Sequence, residues 1–392
     1  MVMGKPLDMS DKKTILVLTS GGLSPALNAT LYGVIKQVRK YRWRILGGIN
    51  GWISLVQQGK IIDLTNLKVE AIKNRGGDFL RSSRTNPFKI PGGINLLKEK
   101  IKKYRISGIL AIGGDDTLKG ASQLFTKEHL PIVGLPKTVD NDLPLTYFSP
   151  GFPSAAYYAA KLAAETKEDS AYTLSRVFII EMYGEKSGWL AAAAALGGVD
   201  LVIPPEWPFK LNDILKLIQQ KYEKNGNYCV VALSKEAKIS GLKSLADTQP
   251  DDFNNQRREF ISLALKEKIE SRLGLSAKII IPMNYVQSGE PIKLDWEMGV
   301  RLGKKGVDLI KENRLGQTLA IDFKNNRFAL RPVSLKIFSQ GIKKKMPASF
   351  FNKKTMLPTE KYFKYLKTLI GNFQFIDKNY QKLQQIISKK MS

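Results

Sequence analysis

Sulfur and imidazole are scarce in this chain. It holds one cysteine, Cys229, and one histidine, His129, among 392 residues. A single cysteine excludes an intrachain disulfide and any cysteine-cluster metal site. A single histidine excludes a two-histidine zinc site, and a Ser-His-Asp triad would have to use His129. That histidine stands just before an apolar run and reads as a loop or packing residue. Long hydrophobic runs are missing too. No window approaches the ~20 consecutive apolar residues of a membrane helix, and the alanine-rich run Leu190 to Leu196 is far shorter. Residues 1–13 are polar with no apolar centre, so no secretory signal is expected and a cytoplasmic location is the default. Acids are outnumbered: 35 Asp and Glu face 62 Lys and Arg, a net charge of +27. The excess is mostly lysine, spread along the whole length, and no module for nucleic-acid recognition accompanies it. Neither nucleic acid nor a membrane is therefore expected as a partner. A positive field suits the capture of a small anionic substrate.

What is present is ordinary for a globular protein: 43% hydrophobic and 25% charged residues. The length suggests two or three domains. Apolar runs at Thr14–Thr19, Ile106–Ile112, Leu130–Leu135, Val177–Glu181, Tyr228–Leu233 and Ala277–Ile281 read as strands. Helical patterns lie between them, as at Leu211–Lys224, and Trp296–Lys311 follows the last. Repeated β-then-α units predict α/β folds, with parallel sheets flanked by helices on both faces. A further strand, Thr318–Phe323, is expected to pair with Phe328–Val333. The last sixty residues are basic and less clearly patterned.

Two of these strands end in acids. Pro136-Lys137-Thr138-Val139-Asp140-Asn141-Asp142 follows one, and Gly113-Gly114-Asp115-Asp116-Thr117 finishes another. Turn preference explains the glycines and Asn141. It does not explain acidic strand ends in so basic a chain. Open α/β sheets bind ligands at their carboxyl edge, and four acids with a lysine there suit phosphoryl transfer with a divalent metal. Ser20-Gly21-Gly22, followed by a helix opening at Ser24-Pro25, adds an anion site of free N–H groups. The segment Arg75 to Arg84 carries three arginines, two serines and two glycines. These residue types match donors to phosphate oxygens.

With these motifs in order, the chain resembles the phosphofructokinase family, and within it the pyrophosphate-dependent branch. The resemblance covers about residues 14 to 310. It rests on Thr19-Ser20-Gly21-Gly22, Arg75-Gly76-Gly77, Ser83-Arg84, the two acidic strand ends, Gly151 to Ser154, and Gly188-Trp189. It implies two doubly wound domains with the active site in the cleft between them. Residues 12–145 would form the phosphoryl-donor domain and 146–300 the sugar-phosphate domain, with 301–392 packing back on the core. It further implies a homo-oligomer, dimeric or tetrameric.

The resemblance also implies roles. Asp140 would be the base that takes the proton from the sugar 1-hydroxyl, with Thr138 and Asp142 supporting it. Arg84 would reach the transferring phosphate, and Asp115 would hold Mg²⁺. Gly21, Gly22, Gly114, Asp116 and Lys137 would form the donor site. ATP-using members carry glycine at the positions of Asp116 and Lys137. An aspartate there repels a nucleotide α-phosphate, and a lysine offers a cation to compact pyrophosphate. Arg176 would bind the sugar 6-phosphate, in this family sometimes of a neighbouring subunit.

The sugar half departs from the family pattern. Tyr183-Gly184-Glu185 stands where Met-Gly-Arg is usual, so an acid replaces an arginine. The glutamate for the sugar hydroxyls aligns with Lys235, with Glu236 adjacent. The second phosphate arginine aligns near Lys278 or Ile279. The Gln-Arg-Gly pattern near Tyr285 reads Gln287-Ser288-Gly289. Fructose 6-phosphate is the expected acceptor. A different sugar phosphate, or a catalytically weak regulatory subunit, are the alternatives.

Overall fold

The computed structural model describes residues 13–57, 59–184, 187–242, 246–248 and 257–391. The strands that matter here are β1 (Thr14–Ser20), β2 (Arg44–Gly48), β3 (Ile61–Asp63), β4 (Ile106–Gly113), β5 (Ile132–Pro136), β6 (Val177–Met182), β7 (Leu201–Ile203), β8 (Cys229–Ser234), β9 (Ala277–Ile280), β10 (Gln317–Lys324) and β11 (Arg327–Ser334). The main helices are α1 (Leu27–Lys40), α2 (Gly93–Lys103), α3 (Asp115–Glu128), α4 (Phe152–Glu165), α5 (Leu211–Lys224), α6 (Ile261–Leu273), α7 (Lys293–Lys311), α8 (Glu360–Ile370) and α9 (Lys378–Met391).

The first sheet has seven strands in the order β11-β10-β5-β4-β1-β2-β3. Its centre is parallel, while β3 and β11 run antiparallel at the two edges. Every residue of β1 is buried. Its side chains alternate between two cores: Ile15 and Val17 join one, Leu16 and Leu18 the other. Leu31 and Val34 of α1 and Leu302 of α7 line the first core; Leu97 of α2 and Leu118 of α3 line the second. A sheet covered on both faces explains why its strands read as continuous apolar runs. The chain winds outward from β1 to β2, then returns to β4 on the other side, so a topological switch point falls between β1 and β4.

The second sheet is wholly parallel, in the order β9-β6-β8-β7. Alanine-rich α4 packs closely on the turn Ala194–Gly197 that leads into β7: a Cβ added at Gly197 would lie 2.1 Å from Ala160 O. The first apolar core runs without a break from β1 to the second sheet.

Helix α7 packs along α1, where Gly33 and Gly303 let the backbones touch; a Cβ on Gly303 would lie 2.1 Å from Thr30 O. The boundary expected at residue 300 thus falls inside a helix that belongs with the first sheet. His129 takes a left-handed conformation as the C-cap of α3, the turn role its position suggested. Helix α8 brings Tyr362 and Tyr365 against Trp189 and Phe350. Among the described residues, no helix is long and apolar enough to cross a membrane.

Candidate active site

The carboxyl ends of six strands converge on one cleft of about 260 Å³. From the first sheet come Ser20 to Leu23 at the end of β1, Gly114 to Thr117 after β4, and Lys137 to Asp140 with Asp142 after β5. From the second come Tyr183 and Gly184 after β6, Lys235 and Glu236 after β8, and Met283 after β9. Arg84, Gln287 and Lys343 complete the lining.

The glycine turn after β1 is anchored to the arginine-rich segment. Gly21 has φ +91, a region that costs any residue with a Cβ. Its N–H donates to Ser83 O at 3.2 Å, and its carbonyl accepts from Ser82 Oγ at 2.6 Å. The Arg75–Gly77 turn is held by Asn28, whose Nδ2 donates to Arg75 O at 3.1 Å and Gly76 O at 3.0 Å. These bonds fix the segment that presents Arg84.

Lys137 is 2% exposed and donates to the carbonyl of Gly22. Burial pushes its ammonium down to about 8, against the pull of Asp78 and Asp140, with Arg84 adding to the fall. Asp78 is half-buried next to Lys137, and it accepts from Thr19 Oγ1 and Leu80 N, each at 3.0 Å. Burial raises its carboxyl above the usual range. Lys137 thus meets the glycine turn at one end of the cleft, with Arg84 near enough to act on its charge.

The central loop is braced from several directions. Asp140 N donates to Thr138 Oγ1 at 3.2 Å, and Ser187 Oγ donates to Asp140 O at 2.7 Å. Thr138 N donates to Pro150 O at 3.1 Å. Asn141 adopts a left-handed φ of +55, as asparagine tolerates. It donates to Tyr365 OH at 2.8 Å and accepts from Ser149 N at 3.0 Å. Lys344 Nζ donates to Asn141 Oδ1 at 2.8 Å, Thr146 O at 3.2 Å and Tyr147 O at 3.1 Å. Burial pushes that ammonium down to about 7. Lys343 Nζ lies 2.9 Å from Asp142 Oδ2 and 3.7 Å from Asp115 Oδ2.

Asp115 and Asp116 occupy the first turn of α3. Burial raises the carboxyl of Asp115, Lys343 opposes the rise and Asp142 adds to it. Its Oδ1 is buried with no hydrogen-bond partner. An unspent carboxylate oxygen facing an anion site fits a hard divalent ion. Mg²⁺ commonly takes one or two carboxylates and completes its shell with water and substrate phosphates. Among the described residues, no group of three or more potential ligands forms a cage of its own.

The structure brings together every residue expected on the donor side: Gly21, Gly22, Arg84, Gly114, Asp115, Asp116, Lys137, Thr138, Asp140 and Asp142. On the sugar side it brings in Tyr183, Gly184, Lys235 and Glu236. Glu185 lies outside the described residues. Arg176 precedes β6, whose far end feeds the cleft, so about 20 Å of strand separates it from this site. Lys278 pairs with Phe178 near the same distant edge. Tyr285 packs its ring on Tyr158, 5.5 Å between centroids, and does not line the cleft. Its neighbours Met283 and Gln287 do. Lys343 and Asp78 are the residues that sequence reasoning missed. Asp78 stood inside a segment already singled out, whereas Lys343 arrives from a region with no motif.

A phosphofructokinase family model matches residues 14–310. A pyrophosphate–fructose 6-phosphate 1-phosphotransferase of Dictyoglomus thermophilum is 34% identical over 351 residues, covering 87% of this chain and 99% of the relative. An ATP-dependent 6-phosphofructokinase of Corynebacterium efficiens is 28% identical, covering 78% of this chain and 89% of that one. The crystal structure of a pyrophosphate-dependent phosphofructokinase from Marinobacter aquaeolei superposes with a TM-score of 0.79 at 26% identity, covering 92% of each chain. Strand order, cleft and sequence agree: the chain belongs to the phosphofructokinase family.

Proposed function

We propose that this protein transfers a phosphoryl group from pyrophosphate to the 1-hydroxyl of fructose 6-phosphate, giving fructose 1,6-bisphosphate and phosphate. The observation that carries the donor is the joint presence of Asp116 and Lys137 in the cleft beside Gly22. A carboxylate there repels the longer nucleotide chain, and a buried ammonium at the glycine turn serves a compact polyanion. The relative from Dictyoglomus thermophilum carries the same donor and acceptor in its name.

Phosphoryl transfer asks for positioning and neutralised charge rather than covalent help. Asp140, held by Thr138 and Ser187, orients the attacking hydroxyl and takes its proton. Arg84 and Lys137 meet the charge on the moving group. Asp115 would hold Mg²⁺, which when bound supplies further neutralisation of the phosphate oxygens. Tyr183, Lys235 and Glu236 face this donor set from the second sheet and receive the sugar phosphate.

Arg176 supports a homo-oligomer. It stands at the edge of the second sheet remote from its own cleft, where a neighbouring subunit's acceptor site is the use left for it. The protein acts in the cytoplasm on this reading. A different sugar-phosphate acceptor is the second reading, favoured by Lys235 standing where a glutamate is usual. A matrix of purified protein against pyrophosphate and ATP as donors, with several sugar phosphates as acceptors, tests both. Turnover with pyrophosphate and fructose 6-phosphate alone is expected. Equal use of ATP would overturn the donor assignment.

A further inference from the structure

A short strap, residues 341–347, crosses the central loop from outside the stretch matched by the family model. Its root is fixed. Lys344 N donates to Asp142 O at 2.7 Å, and Lys344 Nζ holds Asn141 Oδ1 and two loop carbonyls. Met346 N donates to Glu206 Oε1 at 3.1 Å, an oxygen that also accepts from Gly188 N at 2.9 Å. The strap therefore joins the central loop to the second sheet's side of the cleft. From this fixed root the side chain of Lys343 reaches into the cleft. Its ammonium lies between Asp142, at 2.9 Å, and Asp115, at 3.7 Å.

Two carboxylates brought this close repel each other unless a cation stands between them. Lysine is a compact point charge on a flexible four-carbon stem, so its tip can leave while its backbone stays. Asp115 is also the carboxylate whose second oxygen is unpartnered and suited to a divalent ion. One ammonium and one divalent ion therefore compete for the same pair of acids. We propose that Lys343 is a positioning residue of the donor site. It holds the Asp115 and Asp142 carboxylates in register as a substitute cation, and yields to a divalent ion that arrives together with the donor anion. Free metal alone then binds poorly, because it must displace the ammonium without the phosphate charge that would receive it. The proposal rests on the donor reading only for the identity of that anion.

The test is a Mn²⁺ titration without pyrophosphate, following the electron paramagnetic resonance signal of the free ion. Removing one positive charge at this range should tighten Mn²⁺ binding by about tenfold in Lys343→Met. Lys345→Met, on the exposed neighbour, should bind as wild type does. The Mg²⁺ concentration for half-maximal turnover should fall in Lys343→Met. A merely structural lysine gives no reason for tighter metal binding. Lys343→Gln serves if the methionine variant does not fold. Unchanged or weaker Mn²⁺ binding overturns the proposal, and so does failure of both variants to fold. Wild type that binds Mn²⁺ but turns over no pyrophosphate overturns the donor reading instead, and leaves the shift in Lys343→Met to stand on its own.

Discussion

In the proposed reaction the chemistry turns on Asp140, and its surroundings suit that role. Its backbone is gripped on both sides, by Thr138 Oγ1 at the N–H and by Ser187 Oγ at the carbonyl, so the carboxylate is carried by a fixed frame. Asp140→Asn keeps that frame and removes the base. The expected loss is about 10²–10⁴-fold in kcat with the fold intact. A variant with most of its turnover would take Asp140 out of that role. Lys137 makes a prediction of a different kind. Burial holds its ammonium down to about 8. The charged form that a pyrophosphate needs is present below that pH and is lost above it. Bound pyrophosphate favours the charged form, so the loss should fall on KM for pyrophosphate rather than on kcat. Initial rates from pH 7 to 9.5 should show that KM rising above pH 8, by no more than about tenfold per unit. A flat KM across that range would mean that the donor does not meet this ammonium.

At the scale of elements, helix α4 depends on a residue far along the chain. Its N-cap, Gly151, has φ +105 and offers no side chain to the free N–H groups of the first turn. Asp295 of α7 supplies the acceptor. Its carboxylate takes Gly151 N at 2.8 Å, Ser154 N at 2.8 Å and Ser154 Oγ at 2.6 Å, all buried. Gly151 in turn pairs with Thr138, so the cap also steadies the central loop. Burial raises Asp295 to about 6, although each of its bonds pulls the other way. The fold therefore binds this proton more tightly than the unfolded chain does. Its contribution to stability is present below about pH 4 and is lost as pH rises through about 6, by at most about 3 kcal/mol. Asp295→Asn cannot titrate. Thermal unfolding of both forms between pH 4 and 7 should show the wild type losing ground to the variant across that window. A gap independent of pH would mean that Asp295 keeps one charge state throughout.

For the whole molecule, what could be read from the sequence was whatever is local. Strands such as Thr14–Ser20 are buried on both faces, so their apolar runs are unbroken and easy to see. The donor side was legible because its glycines, acids and lysine sit in contiguous turns at strand ends, where folding has little left to decide. Lys343, Lys344 and Tyr365 reach the same loop from some 200 residues away. No local pattern marks them, and only packing does. Asp78 and Asp295 look like any other acids until their hydrogen bonds make them anchors. Arg176 shows a third limit: its type suits a phosphate, but the direction of β6 decides which edge it occupies. It lies about 20 Å from its own cleft, and in the proposed homo-oligomer it serves a neighbouring subunit's acceptor site. Asp140→Asn and Arg176→Ala should then each be nearly inactive alone, for want of a base and of a phosphate contact respectively. Mixed, unfolded and refolded together, they should regain turnover. Each mixed pair holds one site with both defects and one with neither, so a dimer assembled at random should recover about a quarter of wild-type activity. A mixture no more active than its parts would place the work of Arg176 within its own chain or outside catalysis altogether.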